Sequence, residues 1–289
     1  MAFHSKVLLT GYDGFTGYHL SRFLSSKGYK CIGLKSDITD FYSLKEEVMS
    51  IEPDYVIHLA AISYTAEKDA TLTYKVNTVG SVYLFDAIAN LKKMPKKTII
   101  ASSAAVYGAQ NKSLLQEDDL ALPNSHYGCS KFSMENLAKN YFNKFPIMIT
   151  RPFNYTGIRH DKKFLIPKLI NAYRNKETSV DIGNLNVSRE FNDVRDFVEM
   201  YWLLLESSSH SDIVNMCSGK LYSIKEIIKN LNNISGTKMT LNINSDYIRK
   251  NEVSSLSGCT HRLQKIIDYI PKYSLKDTLI WMYQNKTVN

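Results

Sequence analysis

Residues 7–17 read VLLTGYDGFTG, an apolar run closed by three glycines, Gly11, Gly14 and Gly17, at GxxGxxG spacing. The run KVLLTG predicts a buried strand, and Leu20, Phe23 and Leu24 at helical spacing predict a helix that begins near Gly17. A glycine pattern alone is a weak signal and fits a merely structural loop equally well. Strand, glycine turn and helix in this order supply the context in which it cradles a dinucleotide. The first glycine permits the tight turn, the second lets a pyrophosphate approach the backbone, and the third lets helix close on strand. Phe15 and Thr16 complete the turn, and the helix N-terminus then faces the anion.

Outward from this turn, runs rich in β-branched residues alternate with segments of helical periodicity. YKCIGL (29–34), DYVIHLAA (54–61), KTIIASSAA (97–105) and IMITRPFN (147–154) read as strands apolar enough to be buried on both faces. After residue 155 the rhythm loosens. A helix is expected around 164–175, a strand near 179–182, a helix from Asp193 through FVEMYWLLLE, and another behind the capping box Ser223–Glu226. The expected fold is therefore α/β, a Rossmann-type doubly wound parallel sheet with a smaller α/β part formed mostly by the C-terminal half.

Composition narrows the function classes. With 44% hydrophobic residues in 289, the chain can bury a sizeable core, which excludes disorder. The cysteines Cys31, Cys129, Cys217 and Cys259 show neither CxxC pairing nor metal-ligand spacing, so no metal is expected and free thiols in a reducing compartment are. Ten residues before the first glycine leave no room for a signal peptide, and no apolar run reaches the ~18 residues of a membrane span. A cytoplasmic protein without membrane partner is expected. The formal charge of +8 is spread along the chain without a basic stripe interleaved with aromatics, so no nucleic-acid partner is expected.

A second constellation lies downstream. YGCSK (127–131) places Tyr127 and Lys131 on one helix face, and SSAAVYG (102–108) delivers Ser102 and Ser103 at a strand end. Proton transfer to a ketone needs a phenol whose pKa of ~10 is lowered, and a nearby ammonium does this. At the end of the second strand, where a carboxylate would read a ribose 2′-hydroxyl, the chain has Lys35 and Ser36, with Asp37 slightly later. A cation and a hydroxyl favour NADP(H) over NAD(H), an exposed solvated lysine being the alternative. His58 reads as a hydrogen-bonded core histidine, Cys129 and YWLLL (201–205) as packing residues.

TGYDGFTG, HLAA (58–61), NTVG (77–80), SSAAVYG and YGCSK, in this order, make the sequence similar to the extended short-chain dehydrogenase/reductases that act on nucleotide sugars. The resemblance covers nearly the whole chain. It implies an NAD(P)-binding domain at 1–155, completed by part of 178–215, and a nucleotide-sugar-binding domain mainly at 156–289. It selects Ser103, with Tyr127 and Lys131, as the catalytic group. It places Asp37 and Ile38 near the adenine and Leu59, Ala60, Ala61 and Asn77 along the cofactor. It also implies a homodimer through the helices containing GSVYLFDAIANL and YGCSKFSMENLAKNY. The link between CIGLK and SDITD is shorter than the common pattern, which removes material from the adenosine pocket.

Dehydratases of this class carry an acid just after the active-site serine or threonine, whereas this chain has Ala104 and Ala105, and methyl groups cannot shuttle protons. RPFNYTG (151–157), the stretch 183–198, VNMCSG (214–219) and IRKNEV (248–253) resemble the GDP-4-keto-6-deoxy-mannose reductase branch. That resemblance assigns Asn154, Arg189 and Arg249 to a substrate diphosphate and Glu252 to its ribose. Arginine forks suit phosphate oxygens, surface ion pairs being the plainer alternative. The expectation is an NAD(P)H-dependent 4-ketosugar reductase serving surface polysaccharide. A dTDP- or UDP-linked substrate, a 4-epimerase and an NADP-binding regulator are the rivals.

Overall fold

The computed structural model describes residues 5–63, 69–110, 112–245 and 255–285. From the N-terminus, β1 (Ser5–Thr10), α1 (Phe15–Ser26), β2 (Tyr29–Gly33), α2 (Phe41–Ile51) and β3 (Tyr55–His58) follow one another closely. Next come α3 (Ala70–Tyr74), a π-helical turn Lys75–Gly80, α4 (Ser81–Ala89), β4 (Lys97–Ala101) and a 3₁₀ turn Ala104–Tyr107. The middle of the chain forms β5 (Leu114–Leu115), α5 (His126–Lys139), β6 (Ile147–Pro152), β7 (Tyr155–Thr156) and α6 (Leu165–Arg174). Then follow β8 (Ser179–Ile182), β9 (Ser188–Arg189), β10 (Asn192–Asp193), α7 (Val194–Glu206) and β11 (Asp212–Met216). The remainder is β12 (Tyr222–Ser223), α8 (Ile224–Ser235), β13 (Thr240–Ile243), β14 (Ser255–Gly258), α9 (His261–Ile267) and α10 (Leu275–Gln284).

Six strands form one parallel sheet in the order β2-β1-β3-β4-β6-β11. Residue alternation divides its apolar side chains between two faces. Val7 and Leu9 pack with Leu20 and Leu24 of α1 and with Phe197 and Tyr201 of α7, while Leu8 packs with Leu44 and Val48 of α2 and Leu84 and Ile88 of α4. The sheet is thus doubly wound, and its strands are apolar throughout because both faces are covered. Chain connections leave β1 and β3 for opposite faces, which opens a crevice at their carboxyl ends, the place where such sheets bind ligands.

Two expectations are refined. The helix after the glycine turn begins at Phe15, so Gly17 lies inside its first turn. The third strand run stops at Ala101 because Ser103 caps the 3₁₀ turn, its side chain accepting from the Ala105 N–H. The short link after β2 has a topological result. β2 is the sheet edge, with no strand outside it among the described residues.

Residues from the second half build a separate cluster in which Ile166, Leu169 and Tyr173 of α6 meet Ile227 and Leu231 of α8 and Leu279 of α10. Around it lie a small mixed sheet, β12-β9-β14-β5, and two strand pairs, β10-β7 and β13-β8. α7 and β11 belong to the large sheet and its cover instead. Leu9 is fully buried at the centre of the main sheet, and Leu9→Ala is expected to cost about 3 kcal/mol of stability, read from a lower urea midpoint.

Candidate active site

The glycine turn is closed by a hydrogen bond from the Gly14 N–H to the Gly11 carbonyl at 3.1 Å. Gly11 has φ +68°, and a Cβ there would stand 2.8 Å from the Ala60 nitrogen. A Cβ on Gly17 would stand 2.2 Å from the Gly11 carbonyl oxygen, so neither position admits a side chain. At Gly14 a Cβ would meet only that same oxygen, at 3.2 Å, and otherwise faces open space. Gly14 caps α1 with no side-chain hydrogen bond. Uncapped first-turn N–H groups beside an open glycine face suit a bound pyrophosphate. The residues present therefore fit a dinucleotide cofactor.

Thr10 joins this turn to the next strand. Its Oγ1 accepts from the N–H groups of Leu59 (3.1 Å) and Ala60 (3.0 Å) and lies 2.6 Å from His58 Nδ1. The opposite ring nitrogen, Nε2, is 2.8 Å from Ser81 Oγ, which itself donates to the Asn77 carbonyl. With the Ser81 proton so committed, Nε2–H donates to Ser81 and Nδ1 accepts from Thr10, which makes His58 a neutral linker. Burial, with the Lys131 charge behind it, pushes the imidazole down to about 3. Asn77, in the π-helical turn, continues the chain. It accepts from the Ile62 N–H at 2.8 Å and donates to Ser130 Oγ at 3.0 Å, and Ser130 donates to the Tyr127 carbonyl at 2.8 Å. Ala61 is half-buried between Ala60 and Ile62.

Ser125 caps α5, so Tyr127 and Lys131 lie on its first turns. Burial raises the pKa of the Tyr127 phenol, while the neighbouring Ser103 hydroxyl pulls it down. Lys131 is 2% exposed and donates to the Ala101 carbonyl at 2.7 Å. Burial pushes its ammonium down to about 8, against the pull of Glu135. Here the geometry departs from expectation. The ammonium is engaged with β4 rather than with the phenol, and Ser103 is the group that favours the phenolate. Behind the site Arg151 forms a two-pronged pair with Glu135 (2.9 and 2.7 Å), both buried, and donates to the Glu117 carbonyl.

The remaining expected residues are dispersed. Phe15 stacks on Tyr155 and His160, and Thr16 Oγ1 is 2.5 Å from the Tyr155 hydroxyl. Ile38 is buried against Gly80, while Asp37 is exposed and accepts from Thr39. Lys35 is exposed, and the Ser36 hydroxyl is not free, since it donates to Glu47 at 2.5 Å. Asn154 is exposed, its carbonyl accepting from Asn192. Arg189 is half-buried on β9, between β12 and β14. Arg249 and Glu252 lie outside the described residues.

One residue the sequence did not single out organises this second half. Glu190 is 1% exposed and accepts from the N–H groups of Gly258 (2.7 Å) and Ser218 (2.8 Å) and from Asn192 Nδ2 (3.0 Å). Burial raises its pKa against these bonds. It ties three strand ends beside Arg189. Its only sequence signal was adjacency to that arginine. A pocket of about 290 Å³ lined by Ile158, Arg159, His160, Arg174 and Met282 adjoins the glycine turn through His160, which stacks on Phe15. Among the described residues no cluster of His, Cys, Asp and Glu could hold a metal, and no helix is long and apolar enough to cross a membrane.

Comparison with known proteins agrees with this fold. Residues 34–282 match the family model described as GDP-mannose 4,6 dehydratase. The chain is 29% identical over 287 residues to the GDP-6-deoxy-D-talose 4-dehydrogenase of Aggregatibacter actinomycetemcomitans, covering 97% of this chain and 98% of that one. It is 26% identical over 289 residues to the GDP-6-deoxy-D-mannose reductase of Pseudomonas aeruginosa, covering 95% and 94%. Among solved structures, a protein of Burkholderia cenocepacia J2315 provisionally named an epimerase superposes with a TM-score of 0.93 at 33% identity, over 98% of both chains. RMD from Pseudomonas aeruginosa complexed with NADPH superposes with 0.88 at 25%, also over 98% of both.

The His58 linker makes a pH prediction. Its imidazole titrates at the ordinary 6.5 when unfolded and at about 3 when folded. Between those values the unfolded chain binds the proton and the folded one does not, so stability falls as pH drops through that window. The urea midpoint is expected to decline over that range, and His58→Asn to flatten the slope from a lower starting value.

Proposed function

This chain belongs to the GDP-mannose 4,6-dehydratase family, and we propose that within it the protein is a nicotinamide-dependent 4-ketoreductase. Its substrate is an NDP-4-keto-6-deoxyhexose, GDP-linked, and its product GDP-rhamnose or the C4 epimer. One constellation carries the reading. The Tyr127 phenol meets Ser103 beside the glycine turn, and the two residues after Ser103 are Ala104 and Ala105. Loss of water from a sugar needs a proton carrier at that position, and a methyl group is none. The named relatives support it from another side, since 6-deoxy-talose and 6-deoxy-mannose differ at C4, the carbon such a reductase sets.

The Gly11–Gly17 turn with Leu59, Ala60, Ala61 and Asn77 would hold a reduced nicotinamide dinucleotide, which would supply the hydride. The Tyr127 phenol, with an ordinary pKa of ~10 that burial raises further, is protonated at neutral pH and can give its proton to the C4 oxygen as negative charge builds there. Ser103 donates a hydrogen bond to the same oxygen, a stabilisation worth most where water is excluded. The Lys131 ammonium, fixed on the Ala101 carbonyl, offsets the phenolate left behind. Asn154 and Arg189, with Arg249 and Glu252, hold the sugar nucleotide. Glu190 ties together the strand ends beside Arg189, which supports this role.

Residues 1–155 with part of 178–215 form the dinucleotide half, and 156–289 mainly the sugar-nucleotide half, of a cytoplasmic homodimer, paired through α4 and α5, that serves surface polysaccharide. Lys35 and Ser36 spoke for NADP(H), and the choice between it and NAD(H) rests on the loop after β2.

The test is oxidation of reduced cofactor by GDP-4-keto-6-deoxy-mannose. Tyr127→Phe is expected to lower kcat by roughly 10²- to 10⁴-fold with cofactor affinity unchanged. Wild-type turnover is expected to fall as pH rises through about 8, where Lys131 loses its charge. A wild type that binds cofactor yet leaves the ketosugar untouched overturns the GDP-linked assignment.

A further inference from the structure

The loop that follows β2 already holds an anion, and the anion is the protein's own. Glu47, on α2, accepts from the Lys35 N–H at 2.9 Å through Oε1 and from the Ser36 N–H at 2.7 Å through Oε2. The Ser36 hydroxyl donates to Oε2 as well, at 2.5 Å. Successive backbone N–H groups aimed at one point form a concavity that binds anions such as phosphate. Here a carboxylate fills it. The half-buried group is nevertheless held below the ordinary carboxylate range by these bonds and by the Lys35 charge, so it is ionised at neutral pH.

The position of this concavity gives it meaning. β2 lies parallel to β1, with Leu9 registered on Gly33, so the loop beginning at Leu34 runs beside the glycine turn. Tyr12 of that turn packs directly on Gly33. In doubly wound sheets the end of the second strand is where the adenosine ribose is read, an acid accepting from a 2′-hydroxyl and a cation receiving a 2′-phosphate. No acid stands at this strand end itself. Glu47 reaches the place from a helix further along the chain, and β2 being the sheet edge leaves no strand between them.

Resting on the reading that the glycine turn binds a nicotinamide dinucleotide, we propose that Glu47 determines cofactor specificity. It occupies the seat a 2′-phosphate would take, accepts the ribose 2′-hydroxyl, and makes NAD(H) the preferred cofactor. A 2′-phosphate brought to Ser36 meets a carboxylate that has already taken both N–H donors and the hydroxyl. Lys35, which as sequence favoured the phosphate, instead helps to keep Glu47 ionised.

The test is direct binding, read by quenching of protein fluorescence, of NADH and NADPH to wild type, Glu47→Gln and Ser36→Ala, with thermal unfolding as a check on folding. Wild type is expected to bind NADH at least about tenfold more tightly than NADPH, as one close charge repulsion near a surface demands. Glu47→Gln should narrow that ratio about tenfold, chiefly by tightening NADPH, because the repelling charge is gone. Ser36→Ala, which keeps the charge, should leave NADH preferred. Preference of wild type for NADPH, or a ratio unchanged in Glu47→Gln, overturns the role of Glu47 while leaving the dinucleotide reading intact. Binding of neither cofactor by the folded wild type overturns that reading and this one with it.

Discussion

A single threonine hydroxyl fixes the relation on which the site depends. Thr10 ends β1 and takes the first N–H groups beyond β3, so the two strands whose connections part to opposite faces are pinned at the point of divergence. From Thr10 the hydrogen bonds pass through His58, Ser81, Asn77 and Ser130 to the backbone of Tyr127. One continuous path thus links the glycine turn to the helix that carries the phenol. Every member of it is buried or half-buried, and an unsatisfied buried polar group costs about 1–3 kcal/mol. The geometry of the crevice is therefore enforced by polar satisfaction as well as by packing.

Both halves of the molecule hold charges removed from water. The Arg151–Glu135 pair binds β6 to α5, and Arg151 also lies over the Tyr107 ring. Removing one partner of such a pair costs about 3–5 kcal/mol, because the other charge is left buried alone. Glu190 plays a comparable part around Arg189, with backbone N–H groups in place of an arginine. Desolvation and hydrogen bonding oppose one another at both sites. Each carboxylate stays where it is because its lone pairs are filled.

Much of this was legible in the sequence, for definite reasons. Strands buried on both faces announce themselves by apolar runs, and a turn with φ +68° at Gly11 and no room for a Cβ at Gly17 requires glycine. The pairing of Tyr127 with Lys131 follows from helical spacing alone. What stayed hidden depends on contacts between distant residues. Nothing in the spacing of Glu190 says that it will meet Ser218 and Gly258, and nothing local to Glu47 says that it will fold back on Lys35 and Ser36. The direction of the Lys131 ammonium, toward Ala101, was likewise invisible, because a one-dimensional pattern gives a helix face and not the carbonyl that side chain will find.

The large sheet is completed late. Its sixth strand, β11, and the helix α7 that covers Val7 and Leu9 come from residues 194–216, after α6 and β8 of the other cluster have been threaded. A ribosome that has released only the first two-thirds of the chain has released a sheet with one apolar face covered by α1 alone and its β6 edge unpaired. Such a nascent chain is a client for chaperones and a template for aggregation. The two halves are consequently bound into one order of synthesis, and neither can be shed or exchanged in evolution as an independent module.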